Sequence, residues 1–590
     1  MQYKKIVDLY IQLDSTTKRL GKTYYISEFL KHIPTDEIKI VALLLQGKLY
    51  PAWDKRDIGV AARIVLKAIS VSSGISTEKV EREWKKTGDL GDCAHNLIGI
   101  KKQTTLVSHD LSVDKVFNNL RKLAELEGQG TVDKKVHLIA ELLTSSSPDE
   151  AKYIIRTILD ELRIGVGEGA FRDAIVWAFF GDKFNLVYNN KDILDVVDDQ
   201  DRERFNFYSK NVQHMIDIIN DYSEVMYEIK KKGEKAFGET SLEVGKPIKV
   251  MLAQKAEDID DAFERVGKPA LFEYKYDGFR MQIHRNGDHI KLFTRRLEDV
   301  TEQFPDVVKL IKENTNSNNF ILDSEVIGID PKTKKWLPFQ SISQRIRRKY
   351  DINEIIKKIP VMVNVFDAVQ INGKQILKKP IKERKELIKS IIKEKKEKIE
   401  IAKGIITESK KEAERFYQEA LAKGNEGLMA KSLDSEYKPG SRVGFMVKIK
   451  PVMENLDLVI TGAQWGEGKR SKWLSSFTIA CKDGEEYSEI GKVGTGIREL
   501  ESDESDKVTF MHLTKLLKPL IISEKGKEIK VKPSIVIEIS YNEIQKSPTY
   551  SSGFALRFPR LVRLREDRKA SDIDNLSRIK DFYHKQVNIN

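Results

Sequence analysis

The order of hydrophobic and polar positions changes character twice along the 590-residue chain. Up to about residue 230 the period is helical. In "EAKYIIRTILDEL", for example, Ile154, Ile155, Ile158, Leu159 and Leu162 fall on one face at 3.6-residue spacing. The stretch "KKKGEKAFGETSLEVGKPIKV" then strings glycines and a proline among charges without a sustained period, and reads as a linker over residues 231–250. From about 251 short β-type runs take over; in "MQIHRNGDHIKLF" the pair Asn286-Gly287 supplies the positive φ values of a tight hairpin turn. The run "KKPIKERKELIKSIIKEKKEKIEIAK" is rich in lysine, yet Ile381, Leu387, Ile388, Ile391 and Ile392 keep a helical apolar stripe, so its lysines read as a solvated face. From about 452 the pattern is again β-like, in "LDLVITGAQW", "FTIACKDG" and "SIVIEISYNEIQ", with strands short enough for a small barrel. The expected organisation is an all-α unit (1–230), a linker (231–250), an α+β unit (251–451) and an all-β unit with a C-terminal helix (452–590).

Composition narrows the classes. A soft prior of roughly 150 residues per domain allows three to four domains. With 40% hydrophobic and 33% charged residues, and no stretch near the ~18 apolar residues of a membrane span, a soluble protein with no membrane partner is expected. The opening "MQYKKIVDLYIQLDSTTKRL" mixes charges into an amphipathic pattern and lacks a signal peptide's apolar stretch, which reads as cytoplasmic. Two cysteines, Cys93 and Cys481, can build neither a disulfide framework nor a four-cysteine zinc site. A net charge of +12 suits a polyanion such as nucleic acid, and equally a merely basic enzyme.

The chemistry gathers around "LFEYKYDGFRMQIHR", where strand-like alternation is interrupted at Lys275. A lysine amine is nucleophilic only where neighbouring positive charge or desolvation favours its neutral form, and Arg280 or a metal ion could supply that charge. Gly278 lets the backbone turn beside it, and Asp277 can hydrogen-bond the turn. Alone, K-x-D-G is short enough to arise by chance.

Lys275-Tyr-Asp-Gly-Phe-Arg280 resembles motif I of the covalent nucleotidyltransferases, which include ATP-dependent DNA ligases, RNA ligases and mRNA capping enzymes. Further blocks follow in that family's order: "TRRLEDVT" (294–301), "FILDSEVIG" (320–328), "VFDAVQING" (365–373), "EGLMAKS" (426–432), "MVKIKPVMENLDLVI" (446–460) and "LRFPRLVRLREDR" (556–568). The helical N-terminal region, with "ELRIGVGEG" (161–169), is similar to the DNA-binding domain of archaeal and eukaryotic replicative ligases, so the resemblance spans nearly the whole chain. It implies a helical DNA-binding domain, an α+β nucleotidyltransferase (adenylation) domain and an OB-fold domain.

The resemblance also implies the roles. Lys275 attacks the α-phosphate of ATP and carries AMP as a phosphoramidate; Glu273 accepts from the adenine amine, and Phe366 stacks on its face. Arg280 and Arg295 contact the nucleotide or the nick phosphate, and Arg442 the nucleotide. Glu325 binds ribose or metal, and Glu426 is a second metal carboxylate, suiting Mg²⁺ with Mn²⁺ as an alternative. Lys448 and Lys450, two apart on a strand, point to one face and hold the α-phosphate. Arg565 and Arg568 orient the pyrophosphate. Two positions depart from the family pattern: Met446 stands where tryptophan is usual and Arg568 where lysine is commoner.

Three further stretches are candidates for partners. "WGEGKRSKW" (465–473) interleaves basic and aromatic residues and could track a phosphate backbone. Gly165, Gly167 and Gly169 would let helix amides approach DNA phosphates. "KKQTTLVSHD" (101–110) falls where archaeal ligases carry a sliding-clamp segment, with Gln103 and Leu106 at suggestive spacing but without the usual aromatics. The expected function is a monomeric ATP-dependent enzyme sealing nicked double-stranded DNA in replication, repair and recombination. An RNA ligase or capping enzyme, or a non-catalytic scaffold, is the rival; retention of Lys275, Glu325 and Glu426 speaks against the scaffold. An NAD-dependent ligase is disfavoured because its four-cysteine zinc module cannot be made.

Overall fold

The structure, a computed structural model, describes the chain apart from residues 55, 101–110, 129, 190–192, 197, 338, 347, 349, 452, 467–469, 471, 500–507 and 589–590. The clamp-segment expectation at 101–110 lies outside the described residues. No helix among the described residues is long and apolar enough to cross a membrane.

Helices fill the N-terminal region from Lys4–Ser15 to Lys235–Glu239 around one apolar core that includes Tyr10, Leu44, Tyr153 and Ile175. The helix Pro148–Ile158 shows why the local sequence folds this way. Ser147 and Glu150 form a reciprocal capping box, Pro148 occupies the first turn, and Ile154, Ile155 and Ile158 are buried. The helix stops before Leu162, because Asp160 adopts a left-handed φ of 57° and turns the chain away. A two-stranded antiparallel pair, Leu186–Asn189 with Ile193–Val196, also interrupts the helices, so the region is mainly rather than wholly helical. Its residues alternate Val, Tyr, Ile and Val too briefly for a period to register.

From Leu252 to Ile449 the chain forms two sheets. One runs in the order Lys374–Gln375, Val361–Ile371, Asn319–Ile329, Phe279–Asn286, His289–Thr294; the other runs Gly404–Thr407, Ala270–Lys275, Gly427–Ser432, Arg442–Ile449, Leu252–Lys255. Asn286 ends its strand and Gly287, at φ 59°, supplies the left-handed residue of the hairpin turn. Lys275 ends a strand of the second sheet and Phe279 begins a strand of the first. Residues 276–278 are therefore a sheet-to-sheet crossing, which is why the alternation breaks there.

The segment between the helical region and these sheets is seated on them. Leu242, Ile248 and Met251 are buried against Ile321, Val369 and Tyr437; the Gly245 and Ile248 amides donate to His284 Nδ1 and Gln282 Oε1. Downstream, antiparallel strands run in the order Glu486–Val493, Leu474–Asp483, Leu456–Trp465, Glu528–Val531, Ile521–Lys525. Val536–Ser540 joins Leu456–Trp465 to Arg560–Leu564, and the C-terminal helix Leu576–Asn588 packs against Glu543–Lys546. Leu456–Trp465 changes partner along its length and bends at Gly462, where a Cβ would lie 2.9 Å from the Ile529 carbonyl.

Candidate active site

A cleft of about 1800 Å³ opens between the two sheets and is lined by the helical region (Asp54, Arg56), the sheets, and the C-terminal β-rich region (Glu543, Arg557, Phe558). Of the residues singled out from the sequence, Glu273, Lys275, Arg280, Arg295, Glu325, Phe366, Glu426, Arg442, Lys448 and Lys450 all line it. Arg565 and Arg568 do not. They lie in the C-terminal β-rich region, where Arg565 pairs with Asp457 at 2.8 Å and with Asp567, and Arg568 meets Asp457 at 3.3 Å.

Lys275 is held at both its side chain and its backbone by Glu426. Its Nζ is 2.5 Å from Glu426 Oε2, which Lys450 Nζ approaches at the same distance, and its carbonyl accepts from the Glu426 amide. Two glycines make the approach possible. A Cβ on Gly278 would lie 2.4 Å from the Val326 carbonyl, and one on Gly427, opposite Lys275 at φ 139°, would lie 2.1 Å from the Ile449 carbonyl. Gly278 is thus required by close packing of the crossing on the Asn319–Ile329 strand, and Gly427 by both space and backbone angle.

The carboxylates are crowded. Burial pushes Glu325 up to about 7; Lys275 and Arg280 oppose this, and Glu426 and Asp277 add to it. Asp277 is raised to about 6 by burial, Glu426 and Glu543. Glu426 is the exception: burial would raise it, but the Lys275 and Lys450 ammoniums hold it at about 2. Two acids raised chiefly by burial, beside a third, offer oxygen donors of a kind that fits a hard divalent cation. Among the described residues no three acidic, histidine or cysteine side chains are spaced to hold an ion by themselves, so such an ion would complete its shell with phosphate oxygens and water.

Cations gather beside these acids. Lys448 is lowered from its ordinary value by burial and by Lys450, Lys275, Arg295 and Arg442, which places five cations around one space suited to phosphates. Met446, at the position of the usual tryptophan, is buried with Ile218, Met251 and Tyr437.

At the other end of the cleft, Phe366 lies between cations, with Arg280 Cζ 5.2 Å and Lys431 Nζ 5.1 Å from its ring centre. Arg280 is fixed by Asp323 (2.5 Å), the Tyr437 hydroxyl (3.0 Å) and the Met251 carbonyl (3.1 Å), and Tyr437 donates to the same Asp323. Glu273 is 2% exposed and paired to Lys385 and Lys431. Reading the sequence missed Asp323, Tyr437 and Lys385. The first stands inside "FILDSEVIG", and the last interrupts an apolar stripe; both signals were available.

The other candidate stretches are partly visible. Gly165, at φ 63°, and Gly167, which caps the helix Glu168–Phe180, form the approach to that helix's N-terminus beside Arg19 and Lys22. In 465–473 the central residues lie outside the described set; Trp465 donates to Glu524 at 3.0 Å and Arg470 pairs with Glu499.

Three family models match: DNA ligase N terminus over residues 2–176, ATP dependent DNA ligase domain over 250–450, and ATP dependent DNA ligase C terminal region over 470–568. The chain is 46% identical over 588 residues to the DNA ligase of Nanoarchaeum equitans, covering 99% of each chain. It is 40% identical over 588 residues to that of Thermococcus onnurineus (99% and 98%), and 37% identical over 592 residues to that of Archaeoglobus fulgidus (100% of each). A solved structure described as Pmar-Lig_Pre. shares the fold at 16% identity and a TM-score of 0.55, over 95% of this chain and 99% of that one. Matched from end to end in this way, the chain belongs to the ATP-dependent DNA ligase family.

Proposed function

We propose that the protein seals nicks in duplex DNA through a lysyl-AMP intermediate. The observation that carries this reading is the seating of Lys275 Nζ between the carboxylates Glu426 and Glu325 and the cations Lys448 and Lys450, in a cleft whose far end holds Phe366 and Glu273. In the first step Nζ, having given its proton to solvent, attacks the α-phosphorus of ATP. The N–P bond forms, the bond from phosphorus to the bridging oxygen breaks, and pyrophosphate leaves. An oxygen of the nick's 5′-phosphate then attacks the same phosphorus, the N–P bond breaks and the lysine amine is regenerated with a proton. Finally the 3′-hydroxyl, losing its proton to solvent, attacks the 5′-phosphorus and AMP leaves.

Lys448, Lys450, Arg295 and Arg442 neutralise the phosphates, Arg280 is held ready for the nucleotide or nick phosphate, and Phe366 and Glu273 receive the base. Glu325 and Glu426 would hold a divalent ion, which we take to be Mg²⁺ with Mn²⁺ a substitute; when bound it supplies positive charge to the phosphates. We assign residues 1–230 to DNA binding, 231–250 to a linker, 251–451 to nucleotidyl transfer and 452–590 to an OB-fold domain with a C-terminal helix. The partner is nicked DNA, bound by a monomer, with a sliding clamp as a further partner.

The test is incubation with α-labelled ATP and Mg²⁺, without DNA. Acid-stable label on the protein, released as AMP on adding nicked DNA, is the expected result. Absence of protein-bound label while nicks are still sealed would overturn the intermediate.

A further inference from the structure

The lysine-rich helix Ile381–Ile391 carries one lysine that does not reach solvent. Lys385 is 9% exposed and shares the buried face with Ile381, Arg384 and Ile388. Its ammonium meets Glu273 Oε1, while Lys431 Nζ meets Oε2 at 2.5 Å. The other buried acid nearby, Asp367, is occupied by Arg384 through two hydrogen bonds of 2.8 and 3.0 Å. Glu273 is thus the carboxylate in direct contact with both buried ammoniums, while Asp367 acts on them at longer range. Burying two ammoniums on one carboxylate is costly in desolvation.

The Glu273 side chain is packed closely at its Cγ, so the orientation of the carboxylate is left to its ammonium partners. On the neighbouring strand Gly404 stands opposite Glu273, and a Cβ there would lie 3.0 Å from Glu273 Cγ and 2.8 Å from the Phe272 carbonyl. Glu273, Lys431 and Phe366 line the cleft, whereas Lys385 is not among its lining residues and supports Glu273 from behind.

We infer that Lys385 is a positioning residue for base selection: it fixes Glu273 as an accept-only carboxylate and so selects a 6-amino purine over a 6-oxo purine. The inference rests on reading Glu273 as the base contact. An ionised carboxylate has lone pairs and no proton to donate, so it pairs with the exocyclic N–H of adenine. A 6-oxo purine would turn a carbonyl oxygen toward it, leaving two acceptors facing each other and unpaired. In keeping with this, burial alone would raise the Glu273 carboxyl, but Lys385 and Lys431 more than offset it and hold it below the ordinary range. With Lys431 alone remaining, the carboxylate would lose the contact that fixes Oε1 and would turn toward its one partner.

The experiment measures self-adenylation kinetics with ATP and with inosine triphosphate for the wild type, Lys385→Met, Lys385→Arg and Glu273→Gln. Lys385→Met is expected to raise KM for ATP about tenfold with little change in the maximal rate, and to lower the ATP-to-ITP preference about tenfold or more; Lys385→Arg should restore most of the preference. A purely structural role would lower the rate with both nucleotides and leave their ratio unchanged. If Glu273→Gln abolishes the preference while Lys385→Met keeps it, the inference about Lys385 is overturned and the base-contact reading stands. If Glu273→Gln itself keeps the preference, the base-contact reading fails and takes the inference with it. Should Lys385→Met fail to fold by circular dichroism, Lys385→Gln replaces it, and an unchanged ratio there is equally decisive.

Discussion

Lys275 shares one carboxylate oxygen with Lys450, so Glu426 serves two ammoniums that would otherwise repel each other. This pairing holds the nucleophile in place, and attack requires its proton to leave. Arginine at 275 would keep the charge and the Glu426 pair but cannot present a neutral amine near neutral pH. Lys275→Arg and Lys275→Ala should therefore both reduce self-adenylation to below about a thousandth, with nicked-DNA binding close to wild type in a gel-shift assay. Label retained on either variant would remove Lys275 from the nucleophile's role. At this scale the sequence was informative wherever chemistry is written in short linear blocks, since Glu273, Lys275 and Arg280 sit within eight consecutive positions. It was silent where partners are distant: Glu273 meets Lys385 across 112 positions, and Arg280 meets Tyr437 across 157. Lys385 still left a trace, because the order Ile381, Lys385, Ile388, Ile392 places a charge within the apolar stripe.

Among elements, the segment joining the helical region to the sheets departs most from its sequence pattern. Glycines and charges without a period read as a linker, and in the fold its Gly245 and Ile248 amides dock on His284 and Gln282, alternate residues of the strand Phe279–Asn286. No periodicity could reveal this, because an irregular strap is seated by side chains of the strand beneath it rather than by its own repeat. The seat also carries a pH signature. Burial, with a smaller contribution from Lys291, pushes the His284 imidazole down to about 3, so in the folded protein it stays neutral and its Nδ1 accepts from Gly245. Because the folded value is depressed, the stability it contributes is present above the ordinary histidine range near 6.5 and is lost as pH falls from there toward 3. Amide exchange at Gly245 and Ile248, corrected for intrinsic rates, should accelerate over that window in the wild type. His284→Ala should exchange fast at neutral pH already; slow exchange in that variant would mean that the apolar contacts of Leu242 and Ile248 hold the segment unaided.

For the whole molecule, the decisive relation is which edge of the C-terminal β-rich region meets the cleft. Arg557 and Phe558 line it, with Arg557 Cζ 5.6 Å from the Phe339 ring, whereas Arg565 and Arg568 are held on Asp457 away from it. Sequence order placed these arginines in the final block, but it does not report the orientation of one unit against another, which depends on surfaces contributed by distant segments. If Arg565 and Arg568 orient pyrophosphate during lysine adenylation, the C-terminal region must present a different edge for that step, and their cations are not needed once AMP has left ATP. Arg565→Ala and Arg568→Ala should then slow self-adenylation by about 10- to 100-fold while sealing of a nick supplied already adenylated stays within about threefold of wild type. Arg565 is also tied to Asp457, so a structural explanation must be separated from a chemical one. Asp457→Asn breaks the same ion pair from its other side and leaves both cations in place. If the arginines act on pyrophosphate, this variant keeps self-adenylation near the wild-type rate, in contrast to Arg565→Ala. If instead they only hold the C-terminal region together, Asp457→Asn should be as damaging as Arg565→Ala in both assays, and the leaving-group role would be withdrawn.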